Sequence, residues 1–171
     1  MKREKKIKKN PLRTELKATK KEKYNYDFIL WTQYTIQVLE QRNFNQLDIE
    51  NLILELESLL ERDRQKFNNI LFELLVDLLQ LQYQSKVSQK DQVLTEKNLS
   101  NSITYQRDKL QQLMNRSPSL QGLLTKCIAR NYPIASSLAN TEHGMEIRNV
   151  LPTECPYTAE QILDEQFWPN N

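Results

Sequence analysis

The side chains that could do chemistry in this chain are few. Glu57, Asp63 and Asp77 are acids within a leucine-rich stretch, Asp77 inside "LLVDLLQLQYQ". Carboxylates converging from the helices of a bundle can hold a divalent cation and activate water. A di-metal bundle would also use Glu-x-x-His motifs, and the chain has one histidine, His143, beside Gly144 where a helix end is expected. Cys127 falls at helical spacing with Leu123, Leu124 and Ile128, which predicts packing. Cys155 has no histidine placed by the sequence to activate it. With only Gly122 and Gly144, a phosphate-cradling loop, a dinucleotide fingerprint or a G-x-S-x-G elbow has nothing to be built from. No metal or cofactor is expected.

The elements that would position these acids are helices. Scarce glycine argues against β-hairpins, and leucine, glutamine and glutamate recur through the middle of the chain. Asp27 is suited to cap a first helix ending near Asn43, with Tyr26 packing on Trp31 as a hydrophobic staple. Asp48 is suited to cap a second, with Glu50 favourably placed in its first turn. At about 100° per residue, Leu52, Leu56, Leu59, Leu60, Phe67, Ile70, Leu71, Leu74, Leu75, Leu78 and Leu81 share one broad stripe. That is either one helix to about Tyr83 or two joined by a bend near Asp63. After a polar connector over 85–97, a third helix from about Asn98 to Asn115 turns Leu99, Ile103, Leu110, Leu113 and Met114 inward, together with Gln106 and Arg107. "SPSL" opens a fourth helix with Ser117 as cap and Pro118 at its first position, kinked or divided at Pro133 and closed near Gly144. Thr158 and Gln161 have capping-box spacing before a short last helix. The fold expected is an all-α antiparallel bundle of about four to five helices with one long or bent central helix.

A charge on a leucine stripe needs an opposite charge or a route to water. If the second and third helices are antiparallel neighbours, Asp77 and Arg107 fall at similar heights, which predicts an ion pair between them. Asp63, about 20 Å further along, would then need another cation, such as Lys126 or Arg130. Asp63, Asp77, Gln106 and Arg107 are thus the expected buried polar network, with a structural role in fixing helix register.

Charge divides the chain. Residues 1–23 carry Lys2, Arg3, Lys5, Lys6, Lys8, Lys9, Arg13, Lys17, Lys20, Lys21 and Lys23 against three glutamates, a net of +8 within a total of +2, leaving −6 for the rest. The segment has few large apolar residues and repels itself, so it is expected to be disordered when free, ahead of a single helical domain over 24–171. Such an arm neutralises phosphates by counterion release, so its expected partner is nucleic acid, bound with strong salt dependence and little specificity. It has no aromatic residue for base stacking and no apolar face for a membrane surface. Two separated cysteines, a charged beginning and the lack of a long apolar run predict a cytoplasmic protein with no membrane partner.

The stretches "YDFILWTQ", "FNQLDIENLILELESL", "LLVDLLQLQYQ", "QRDKLQQLMNRSPSL" and "LPTECPYTAEQILDEQFWP" resemble the bacterial family called domain of unknown function 29, common in cyanobacteria. They cover about residues 24–169 in order. The resemblance implies an all-α fold and brings no activity with it. Members of that family typically show "LLxHLLK", where this chain has Asp77 and Gln80 in place of the histidine and lysine; Leu99 stands where a tryptophan is usual. A histidine-dependent role in relatives would not carry over to Asp77.

Together these features predict a non-enzymatic helical module that binds a protein partner or itself, its arm contacting nucleic acid. The alternatives are a metal-assisted hydrolase or nuclease using Glu57, Asp63 and Asp77, and a protein-protein adaptor in which the arm is incidental.

Overall fold

The structure, a computed structural model, describes residues 24–83, 92–141 and 151–169. Their regular elements are all helical: α1 (Phe28–Glu40), a 3-10 turn (Phe44–Gln46), α2 (Ile49–Tyr83), α3 (Gln92–Arg116), a 3-10 stretch (Pro118–Leu123), α4 (Leu124–Thr141) and α5 (Ala159–Leu163). The arm, His143 and Gly144 lie outside the described residues. α2 is one uninterrupted helix of 35 residues. The chain divides into two compact units, one ending at Leu60 and the other beginning at Glu61.

In the first unit Asp27 caps α1 as its sequence position predicts, its carboxylate accepting the Leu30 N–H at 3.0 Å. The expected staple does not form. Tyr26 is 95% exposed, and Trp31 is instead covered edge-on by Tyr24 and stacked on by Phe28 at centroid distances of 5.0 and 5.7 Å. Two aromatic neighbours thus satisfy the indole face without Tyr26. α1 ends in a Schellman turn: Asn43 N–H donates to Val38 C=O and Arg42 N–H to Leu39 C=O, each at 3.0 Å. Its left-handed position, commonly a glycine, is occupied here by Arg42 at φ 55°.

The second unit carries the core. From α2, Phe67, Leu71, Leu74, Leu75, Leu78 and Leu79 pack with Ile103 and Leu110 of α3, Leu124, Ile128 and Ala135 of α4, and Ile162 of α5. Each fully buried side chain of this size contributes about 1.5–3 kcal/mol relative to exposure. α3 presents the expected inner face, with Leu99, Ile103, Leu110, Leu113 and Met114 all buried. It begins at Gln92, earlier than expected, because residues read as a polar connector are mostly competent helix formers. α4 runs through Pro133 without dividing. The flanking Tyr132 and Ala135 are buried in the core, and that packing outweighs the roughly 3 kcal/mol an interior proline costs. Ser117 makes no side-chain cap, and Pro118 opens a 3-10 turn ahead of α4. The capping box at α5 is complete: Gln161 N–H donates to Thr158 Oγ1 at 3.2 Å, and Thr158 N–H to Gln161 Oε1 at 2.9 Å.

Candidate interaction surface

The predicted stripe on α2 is core only from Phe67 onward. Leu56, Leu59 and Leu60 are exposed, as are Ile49, Ile53 and Leu54. The cause is which face of α2 the first unit uses internally. Asp48, Asn51 and Glu55 follow one another at helical spacing (i, i+3, i+7), and this polar row faces α1. Trp31 Nε1–H donates to Asp48 Oδ2 at 3.2 Å, Asn51 Nδ2–H to the same oxygen at 2.7 Å, and Tyr24 O–H to Glu55 Oε1 at 2.6 Å. The Glu55 carboxylate accepting that bond, followed by desolvation, raises the Tyr24 pKa above its ordinary value.

With hydrogen bonds turned inward, the aliphatic face of α2 is left outward. Ile49, Ile53, Leu56 and Leu60 recur at intervals of 4, 3 and 4, a coiled-coil seam. Ile53 is 50% and Leu56 57% exposed. α1 adds Phe28, Ile29, Leu30, Ile36 and Leu39 to the apolar exposure, and Phe44 lies in the turn. Of fifteen exposed large apolar side chains among the described residues, thirteen belong to residues 24–60. Monomeric proteins scatter such residues singly, whereas here they concentrate in one small unit. The same 37 residues hold six carboxylates and one cation, Arg42, for a net of −5.

The acids and the arginine predicted to form one network are distributed differently. Arg107, 2% exposed, does not serve Asp77. Its Nε–H donates to the Ile162 carbonyl at 2.9 Å and its Nη2 to those of Phe167 and Gln161 at 2.8 and 3.3 Å. Its guanidinium also lies 5.4 Å from the Trp168 ring centroid. Burial lowers its pKa, opposed by the nearby Asp164 and Glu165.

Helix register explains the difference. Asp63 pairs with Arg116, so in an antiparallel arrangement Asp77 stands level with residue 102, five residues or about 7.5 Å short of Arg107. Asp77 itself is partly buried on α2. The partner of Asp63 is thus neither Lys126 nor Arg130. The pair is half-exposed, with Asp63 and Arg116 side chains 45% and 61% accessible and both carboxylate oxygens 2.9 Å from Arg116 Nη2. Arg130 instead donates to Asn68 Oδ1 at 2.7 Å. Gln106 is buried as expected, its amide donating to Ser102 Oγ at 3.3 Å.

Two tyrosines that sequence reading passed over also anchor the C-terminal segment. The Tyr132 hydroxyl donates to the Pro152 carbonyl at 2.6 Å, and that of Tyr157 is shared between the Leu78 carbonyl and the Gln82 side-chain oxygen. Burial raises both phenols, Tyr132 to about 12 and Tyr157 further. The available signal was aromatic residues beside Pro133 and Pro156 in otherwise polar sequence. Burial likewise pushes the Cys155 thiol up, away from the thiolate that nucleophilic chemistry needs. Among the described residues no three His, Cys, Asp or Glu side chains gather at metal-binding distance, and no helix is long and apolar enough to cross a membrane.

These features define an all-α protein in which a helical core, strapped by its C-terminal segment, accompanies a helical unit with a polar inner and an apolar outer face. Over residues 23–168 the chain matches, and belongs to, the family described as Domain of unknown function DUF29, in agreement with the resemblance read from its sequence. No curated protein and no solved structure matches it.

Proposed function

We propose that this protein is a non-enzymatic helical interaction module. Residues 24–60 dock onto a protein surface, a partner or a second copy, and the lysine-rich arm adds affinity by contacting nucleic acid. The observation that carries the reading is the concentration of exposed apolar side chains in residues 24–60. Covering even half of them recovers about 25 cal/mol per Å² of apolar area, an incentive no other described part of the surface offers. The net +8 of residues 1–23 supports the arm's role, since phosphate neutralisation needs charge and no fixed geometry.

The test is to recover complexes from a source of the natural partners with the full chain, with Leu56→Ser and with a chain lacking residues 1–23, at low and moderate salt. Loss of protein partners with Leu56→Ser and loss of salt-sensitive nucleic acid with the deletion are the expected results. Identical recovery by all three chains would defeat the proposal.

A further inference from the structure

The charge around the exposed seam selects among the partners that could cover it. On a helical projection of α2 at about 100° per residue, Ile49, Ile53, Leu56 and Leu60 cluster on one side, with Glu50 and Glu57 in a row along one margin. Both glutamates are exposed. No cation lies on α2 between Ile49 and Leu60.

We infer that the surface of residues 24–60 receives a cationic amphipathic helix from a partner protein, whose apolar face covers the Ile53 and Leu56 seam and whose lysines or arginines meet Glu50 and Glu57. The inference rests on the interaction-module reading and names the chemistry of its protein partner. Helix-in-groove recognition uses anchors at the spacing found here, and complementary flanking charges set which helix is accepted.

A second copy fits less well. Its identical unit would bring a net −5 against −5, and physiological salt screens such repulsion only beyond roughly 8 Å. An anionic bilayer is repelled by the same acids. Residues 1–23 have the right charge, but their large apolar side chains, Met1, Ile7, Leu12 and Leu16, are spaced 6, 5 and 4 apart with Pro11 among them, so they do not form the continuous 3–4 stripe that would match the seam.

The probe is a labelled helical peptide of leucine and lysine, with one apolar stripe edged by lysines, titrated into the full chain. The variants of this chain compared with it are Ile53→Ser/Leu56→Ser, Glu50→Lys/Glu57→Lys and a charge-matched control, Glu73→Lys/Glu154→Lys, all at exposed positions, with helicity checked by circular dichroism. At least a tenfold loss of affinity in the first two variants, with less than a threefold change in the control, is expected. Equal losses in the seam-charge and control variants would reduce the effect to diffuse attraction and overturn the inference. Sedimentation without peptide separates the two levels. A wild-type dimer that Ile53→Ser/Leu56→Ser dissociates would overturn the cationic-helix partner and leave the interaction surface standing. A monomer that does not bind the peptide would overturn the cationic-helix inference, and the recovery experiment above would still decide the broader reading.

Discussion

Arg107 and Ile162, 55 residues apart, are joined by a 2.9 Å bond from the guanidinium Nε–H to a backbone carbonyl. With the bonds to Gln161 and Phe167, one buried arginine fastens the C-terminal segment to α3. Hydrogen bonds from a charged group are worth about 1.5–3 kcal/mol each, and they are not additive within one side chain. Arg107→Met is expected to lower unfolding free energy by about 1–3 kcal/mol, the cost of leaving its buried carbonyl acceptors unpaired. Arg107→Lys should recover little of this, since an ammonium cannot span three carbonyls as the planar fork does. Urea denaturation measures both, and limited proteolysis should show the first new cleavages after residue 150. An Arg107→Met protein as stable as the parent would mean that the segment is held by apolar packing alone.

The same segment predicts loss of stability in alkali. Tyr132 and Tyr157 have folded pKa values raised above the ordinary 10.0 by burial. A phenol raised on folding favours its neutral form in the native state. Its contribution is therefore complete below pH 10, the ordinary value, and is lost as pH rises toward about 12 for Tyr132. Circular dichroism across this range should show unfolding accompanied by tyrosine ionisation. Tyr132→Phe/Tyr157→Phe should be less stable at neutral pH by about 1–3 kcal/mol from the lost hydrogen bonds, with a flatter alkaline decline. An unaltered decline would place its origin elsewhere.

Asp63 and Arg116 form the contrasting case. Both side chains are about half-exposed, and exposed pairs are typically worth 0.2 to about 1 kcal/mol. Asp63→Asn should cost less than about 1 kcal/mol at low salt and less still as salt is added. Denaturation in dilute and moderate salt checks this. A loss several times larger would show that the pair fixes the register of α2 against α3, as the sequence suggested.

Regular structure was readable where a local signal has a local outcome. The Asp27 cap, the Thr158 and Gln161 capping box and the inner face of α3 all follow from spacing. Two kinds of feature were not. Periodicity identifies an apolar stripe but does not say what covers it, so Leu56, Leu59 and Leu60 looked equivalent to Leu74 and Leu78. The readable counter-signal was the second, polar row, Asp48, Asn51 and Glu55, that competes for the inner position. Pairing of Asp77 with Arg107 failed because a few residues of register between antiparallel helices move a side chain by more than an ion pair can reach. Carbonyls of the C-terminal segment, which leave no trace in residue type, became the arginine's acceptors instead. Of the chemistry-capable acids, Asp63 is taken up in a pair with Arg116, Asp77 is partly buried on α2 and Glu57 is exposed, and the candidate site emerged from an exposure pattern.

Arg42 allows a last prediction in which two opposing costs decide the sign. Its φ of 55° lies in the left-handed region, which costs a side-chain-bearing residue about 1–2 kcal/mol. Glycine adopts it freely but loses about 0.5–1 kcal/mol more in unfolded-chain entropy. Arg42→Gly should therefore stabilise the first unit by about 0.5–1 kcal/mol, the Schellman bonds from Arg42 and Asn43 being backbone bonds that glycine retains. Arg42→Ala keeps the strained conformation and should gain nothing. Because Arg42 is the lone cation in residues 24–60, both substitutions make that unit more acidic by the same amount, so their difference isolates the backbone effect. Thermal denaturation followed by Trp31 fluorescence in a Trp168→Phe background would read it. Equal stability of the glycine and alanine variants would show that the turn relaxes to accommodate a side chain.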